Sequence, residues 1–165
     1  MNANNNHELS ITRFIDAPPE AVYRIYTERT EEWFAPKPWK TRVIEQDFRP
    51  GGRSSIEMIG PNGEQHPGEG IFLEVVPNER IVFSNVFTAG WDPKTLMTSE
   101  CDFATVAIVT FERESGGTRY TARVRHWDAE AKEKHAAMGF EEGWGIVAAQ
   151  LAKIAEAEAR TAVAA

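Results

Sequence analysis

A chain of 165 residues, 42% of them hydrophobic, is long and apolar enough to build one domain around one core without disulfides or a structural metal. Its 25 acidic side chains against 18 basic ones give a net charge of −7, which repels phosphate backbones and anionic headgroups and sets nucleic acid and membrane surfaces aside as partners. The single cysteine, Cys101, excludes an internal disulfide and a cysteine-based zinc cluster. No apolar run approaches the roughly 20 residues of a membrane span. Met1 to His7 has neither the basic nor the apolar stretch of a signal peptide, so the sequence predicts a cytoplasmic protein.

Residues 1–6 are polar and are expected to form a disordered tail, followed by a single domain over 7–158 and a frayed end over 159–165. Leu9 to Ile15 alternates, carries β-branched residues and reads as a strand. Asp16-Ala-Pro-Pro19 stops it and opens a short helix to about Thr27, with Asp16 in the N-cap region and Val22, Ile25 and Tyr26 on one face. Glu31 to Trp39 is an aromatic, proline-rich connector. Thr41 to Phe48 and Ser54 to Ile59 are strands, closed by Arg49-Pro-Gly-Gly52 and Gly60-Pro-Asn-Gly63. Gly68 to Val76 and Arg80 to Phe87 follow, joined by Pro77-Asn-Glu79. Residues 88–102 have no period and form the longest loop. Trp91, Leu96, Met97 and Phe103 make that loop apolar enough to close over a cavity or to pack on a second subunit as a homodimer contact.

Ala104 to Glu112 and Thr118 to Trp127 make a last hairpin around Ser115-Gly-Gly117. Asp128 to about Ala164 is one helical region, in which Phe140, Trp144, Val147, Leu151 and Ile154 recur at helical spacing. Gly139, Gly143 and Gly145 each cost such a helix about 1 kcal/mol relative to alanine, so they point to a close neighbour or a cavity wall. The fold class is therefore α+β: a curved antiparallel sheet of six to seven strands wrapped around a long C-terminal helix, with short helices after the first strand. A cavity between sheet and helix is the expected place for function.

Searches for catalytic motifs fail. There is no Gly-x-Ser-x-Gly, no Walker or dinucleotide glycine loop and no His-Glu-x-x-His. His7, His66, His126 and His135 lack ligand spacing, so no metal and no cofactor is expected. Cys101, between Glu100 and Asp102, reads as an unreactive thiol. On the last strand Tyr120, Ala122, Val124 and His126 share the apolar face, opposite Arg119, Thr121, Arg123 and Arg125. His126 thus points inward, near the start of the long helix. It is either a buried imidazole bonded to a backbone carbonyl or a carboxylate (Glu141 and Glu142 are within reach), or a ligand contact or acid–base group.

Among the aromatics, Phe83, Phe140 and Trp144 belong to the core or the cavity wall, and Trp33 and Trp39 to a rim, a lid or the packing. Asn85 shares a face with Ile81 and Phe83 and is either a ligand anchor or a satisfied core amide. Ile56 and Met58 face inward. Of the strand carboxylates Glu57, Glu69 and Glu74, the first and last face outward, which disfavours a paired-carboxylate hydrolase. The candidate ligand-binding set is Trp33, Trp39, Ile56, Met58, Phe83, Asn85, Tyr120, His126, Phe140 and Trp144. No catalytic set is evident; His126 and Tyr120 are the candidate proton carriers.

Arg13-Phe-Ile-Asp-Ala-Pro-Pro-Glu-Ala-Val22, Trp33 with Pro36, Asp47-Phe-Arg-Pro-Gly-Gly52 and Gly60-Pro-Asn-Gly63 occur in an order that resembles the SRPBCC superfamily. Gly70 before Glu74-Val-Val-Pro77, Gly117-Thr-Arg119 and Glu142-Gly-Trp144 continue the pattern, which covers residues 8 to about 155. The nearest branch is the one related to the activator of the ninety-kilodalton heat-shock-protein ATPase. The resemblance implies the helix-grip fold of START lipid-binding domains and the major pollen allergen. It implies three kinds of function: binding of a small hydrophobic or aromatic ligand, a polyketide cyclase or dehydratase-like reaction, and co-chaperone-like interaction with a chaperone. Ligand binding leads, because the motif residues serve turns and packing rather than chemistry. A chaperone partner is less expected of an isolated domain without the additional N-terminal domain of the eukaryotic activators.

Overall fold

The computed structural model describes residues 7–93 and 103–165; the expected tail over residues 1–6, together with Leu96, Met97 and Cys101, lies outside them. Alternation along the chain produces a seven-stranded antiparallel sheet in the order β1-β9-β8-β5-β4-β3-β2. Its strands are β1 (Glu8–Ile15), β2 (Lys40–Gln46), β3 (Arg53–Ile59), β4 (Gln65–Val76), β5 (Arg80–Ser84), β8 (Thr105–Glu114) and β9 (Gly117–His126). The first strand pairs with the last, and Thr118 on β9 locks the join by donating its hydroxyl to the Ala17 carbonyl at 2.7 Å. The sheet wraps α4 (Phe140–Ala164), with α1 (Pro19–Glu28) and α2 (Thr30–Trp33) closing one end. This is the helix-grip arrangement.

Proline at the first turn starts α1, as expected, but its N-cap is Pro18 and not Asp16, whose backbone N–H donates instead to Glu156. Val22, Ile25 and Tyr26 form its buried face. Inside the expected connector, Thr30 to Trp33 coil into one further helical turn, α2. The C-terminal helical region is not continuous. α3 (Ala129–Ala137), capped by the Asp128 carboxylate on the Ala131 N–H at 2.8 Å, ends at Met138, and Gly139 takes a left-handed φ of +88° before α4 begins. Only glycine adopts that conformation without strain. A Cβ placed on Gly143 or Gly145 meets nothing within 4 Å, so neither glycine serves a close approach. Instead, α4 comes against α1 and β1 through Ala148, Ala152 and Ala155, all fully buried around Leu151.

Two local features escape simple alternation. The pairing of β4 with β5 slips between Phe72 and Glu74, so Phe72 and Val75 both reach the core although their spacing is odd. The slip leaves Glu74 outside, paired with Arg80. Within the expected loop, β6 (Phe87–Thr88) pairs with β7 (Asp92–Pro93), and this small hairpin lays the Trp91 ring over Gly51.

The Asp47–Gly52 segment is a turn built from backbone contacts. The N–H of Arg49 donates to Asp47 O at 2.7 Å, that of Gly52 to Arg49 O at 2.8 Å, and that of Gly51 to Phe72 O at 2.7 Å. A Cβ on Gly52 would sit 1.9 Å from the Asp47 carbonyl oxygen. Gly52→Ala is therefore expected to cost about 2–3 kcal/mol through a backbone shift. Urea denaturation measures it, and a loss below about 0.5 kcal/mol would show that the turn yields freely.

Candidate functional site

Two adjoining lobes of about 330 and 250 Å³ lie between the sheet and α4, and share Tyr26, Trp33, Phe34, Met58, Phe83 and Trp144 as walls. The larger, on the sheet side, is floored by alternating positions of β3 (Ser54, Ile56 and Met58), while Gly68, Gly70 and Phe72 of β4 continue the same surface. A Cβ on Gly70 would sit 2.2 Å from the Ser84 carbonyl oxygen and one on Gly68 3.1 Å from the Ile56 side chain, so close neighbours require both glycines. The smaller, on the helix side, reaches Tyr120 of β9 and Gly143 and Val147 of α4. Aromatic packing supports its end: Tyr26 stacks 4.6 Å from Trp33, and its ring lies 5.4 Å from Phe111 and 6.5 Å from Tyr120.

Of the residues expected from the sequence, Trp33, Ile56, Met58, Phe83, Asn85, Tyr120 and Trp144 stand on these walls. Trp33 is packed as well as wall-lining, with 2% of its surface exposed. Trp39 stands apart, in an outer groove between the connector and α4, with its ring 5.4 Å from His66. Phe140 belongs to a smaller core cluster with Ala107 and Val124, against Trp144. Tyr26, Gln46 and Ser54 also line the wall, although the sequence does not single them out as ligand contacts. The alternation that placed Ile56 and Met58 also placed Ser54; Tyr26 and Gln46 reach the wall only because α1 and β2 close over the sheet.

Most polar wall groups are spoken for. Asn85 donates its Nδ2 to Phe103 O and accepts the Thr105 N–H on its Oδ1, both at 2.9 Å, so its amide ties the chain on either side of residue 104. Ser84 Oγ donates to Thr105 O at 2.8 Å. Thr30 Oγ1 lies 2.9 Å from Gln46 Oε1. Glu69 accepts from Arg53 Nε at 2.7 Å. Trp33 Nε1 is different: it is fully buried and has no acceptor. The hydroxyls of Tyr26 and Tyr120 also make no hydrogen bond among the described residues, but unlike the Trp33 nitrogen they are not fully closed off. Burial pushes both phenols well above their ordinary pKa, and they are neutral.

His126 occupies the inner face of β9, 4% exposed, as alternation requires, yet it lies beside the cavity and not on the wall of either lobe. Its Nδ1 is 2.9 Å from the His7 carbonyl oxygen and its Nε2 is 2.8 Å from His135 Nδ1. A carbonyl only accepts, so His126 carries its proton on Nδ1 and takes the His135 Nδ1–H on Nε2. Glu141 and Glu142 are exposed and are not its partners. The ring of Phe103 covers both imidazoles, at 5.7 and 5.0 Å.

Desolvation first, and the neighbouring His126 second, push the pKa of His135 down to about 4. A base whose folded pKa lies below its unfolded value contributes stability above about pH 6.5 and loses it as pH falls toward 4, because the unfolded chain takes up a proton that the folded chain refuses. Discounted for partial exposure, the loss between about pH 7 and pH 5 is expected to be about 1 kcal/mol. It should disappear in His135→Gln; an unchanged pH slope of the urea midpoint in that variant would assign the effect elsewhere.

Among the described residues no three His, Cys, Asp or Glu side chains are placed to hold a metal ion, and no helix is long and apolar enough to cross a membrane. The family model of activator of Hsp90 ATPase homolog 1-like protein matches residues 16–156. A Nitrosomonas europaea protein of known structure is 33% identical over 92% of this chain and 95% of its own, with a TM-score of 0.81. A Mycobacterium smegmatis protein is 27% identical over 91% of each chain, with a TM-score of 0.74. An AHSA1-like protein from Aeromonas hydrophila, 22% identical over 92% of this chain and 93% of its own at a TM-score of 0.68, shares the fold. No curated protein matches the chain. The helix-grip architecture and a family match that runs from the end of β1 deep into α4 agree: the chain belongs to the activator of Hsp90 ATPase homolog 1-like family, within the SRPBCC superfamily.

Proposed function

We propose that the protein binds a small hydrophobic or aromatic molecule between the sheet and α4. The observation that carries this reading is the two-lobed cavity, walled by Phe34, Met58, Phe72, Phe83 and Trp144 with few polar groups. A concave, mainly apolar space of this size with a few fixed polar anchors is the ordinary form of an organic-ligand site. Family membership is compatible with a chaperone partner too, and the cavity is what favours the small molecule. A proton-transfer role finds less support: both ring nitrogens of His126 are engaged, and Tyr120 is a neutral phenol.

Native mass spectrometry of the purified chain, followed by release and identification of what it carries, tests the reading. A stoichiometric apolar molecule released unchanged supports it, whereas a chemically converted one replaces it with an enzyme. If the chain carries nothing and its melting temperature is unmoved by a panel of aromatic fluorophores at saturating concentration, the reading is overturned.

A further inference from the structure

We infer that the molecule held in this cavity is uncharged and presents a hydrogen-bond-accepting oxygen, a carbonyl in the simplest case, to Tyr26 and Tyr120 at the end of the helix-side lobe. The inference rests on the binding reading above and specifies the chemistry of what is bound.

Two donors without acceptors meet in this one place, the hydroxyls of Tyr26 and Tyr120, which make no hydrogen bond among the described residues. The Tyr26 ring lies 6.5 Å from that of Tyr120, and both side chains line the helix-side lobe. Folded proteins rarely bury a donor without a partner, because the desolvation cost is then uncompensated. Elsewhere on the wall that rule is kept: Asn85, Ser84, Thr30 and Glu69 all have partners. The two phenols, without partners on an otherwise apolar wall, are satisfied by an oxygen brought in from outside.

The charge of the walls fixes the rest. Among the described residues no lysine, arginine or histidine lines either lobe, and the one ionised wall residue, Glu69, is an anion. A carboxylate entering this space would lose its water and gain no counter-charge, with Glu69 opposing it. A cation would have to leave its water for a wall on which Glu69, the described anion, is already paired with Arg53. A neutral ketone, aldehyde, ester or quinone oxygen meets two phenol donors and incurs no charge desolvation.

The test uses three probes of one shape on the full chain: methyl naphthyl ketone, its isopropenyl isostere (C=CH2 in place of C=O) and naphthoate. Isothermal titration should show the ketone binding about tenfold or more tightly than the isostere, and naphthoate more weakly than the ketone. In the Tyr26→Phe, Tyr120→Phe double variant, which keeps both rings, the ketone's advantage should fall to about twofold with the isostere unchanged. The single variants Tyr26→Phe and Tyr120→Phe, with their melts checked, apportion the loss between the two phenols. Equal affinity for ketone and isostere overturns the inference while leaving the binding reading standing. So does a ketone preference that survives in all these variants, or naphthoate as the tightest probe. If neither neutral probe binds, the binding reading itself fails, and that result is distinct from the others.

Discussion

Leu151→Ala is expected to lower the free energy of unfolding by about 3–5 kcal/mol, the largest loss of any single core truncation on α4. Leu151 has none of its surface exposed and sits where the helix meets α1 and β1. Its neighbours on the helix face, Ala148, Ala152 and Ala155, are as buried as it is but carry only a methyl group each. They cannot swing into the space left behind, so the cavity term adds in full to the lost transfer energy. The period of α4 points to Trp144 as a second core residue, but Trp144 is only half-buried and its ring already borders open space in both lobes. Truncating it enlarges an existing void and is expected to cost less than truncating Leu151. Urea denaturation of both variants decides the order; a Leu151→Ala loss under about 1 kcal/mol would mean that α4 is held by other contacts.

Features that depend on one strand or one turn were legible in the chain itself. Alternation on β3 and β9 placed Ile56, Met58, Tyr120 and His126 on the inner face, where they lie. The Asp47–Gly52 turn could be read from its glycines, and its backbone contacts show why they are there. What could not be read depends on partners far apart in sequence. Strict alternation along β4 groups Ile71 with Val75, and only the register against β5 shows that a bulge sets Phe72 and Val75 together. His126 faces exposed glutamates in a sequence-only view because they start the long helix. Its true partner, His135, comes into reach only because Gly139 breaks that helix and leaves α3 lying against β9. Asn85 could be assigned to the inner face, but whether its amide was free or engaged depended on the backbone at Phe103 and Thr105, two strands' length away along the chain. Tyr26 and Gln46 reached the wall by closure of α1 and β2, which no local period encodes.

Gly143→Leu is expected to make the protein more stable and to abolish binding of the naphthyl ketone. Gly143 lies in the first turns of α4 and on the wall of the helix-side lobe, and a Cβ added there meets nothing within 4 Å. Removing a glycine from a helix interior contributes about 0.5–1 kcal/mol, and a leucine side chain entering an apolar void adds burial on top. The same side chain takes up space that a two-ring ligand needs in a lobe of about 250 Å³, which Tyr26 and Tyr120 also line. Affinity for the ketone should therefore fall by about a hundredfold or more, roughly 2.7 kcal/mol. Gly145→Ala is the matched control. It sits two residues further on, also meets nothing within 4 Å, and does not line either lobe. It should raise the melting temperature through the helix backbone alone and leave the ketone's affinity as it was. Opposite signs for stability and binding at Gly143, with stability alone moving at Gly145, locate the bound molecule between sheet and α4. Undiminished ketone binding by Gly143→Leu would place it somewhere else on the protein.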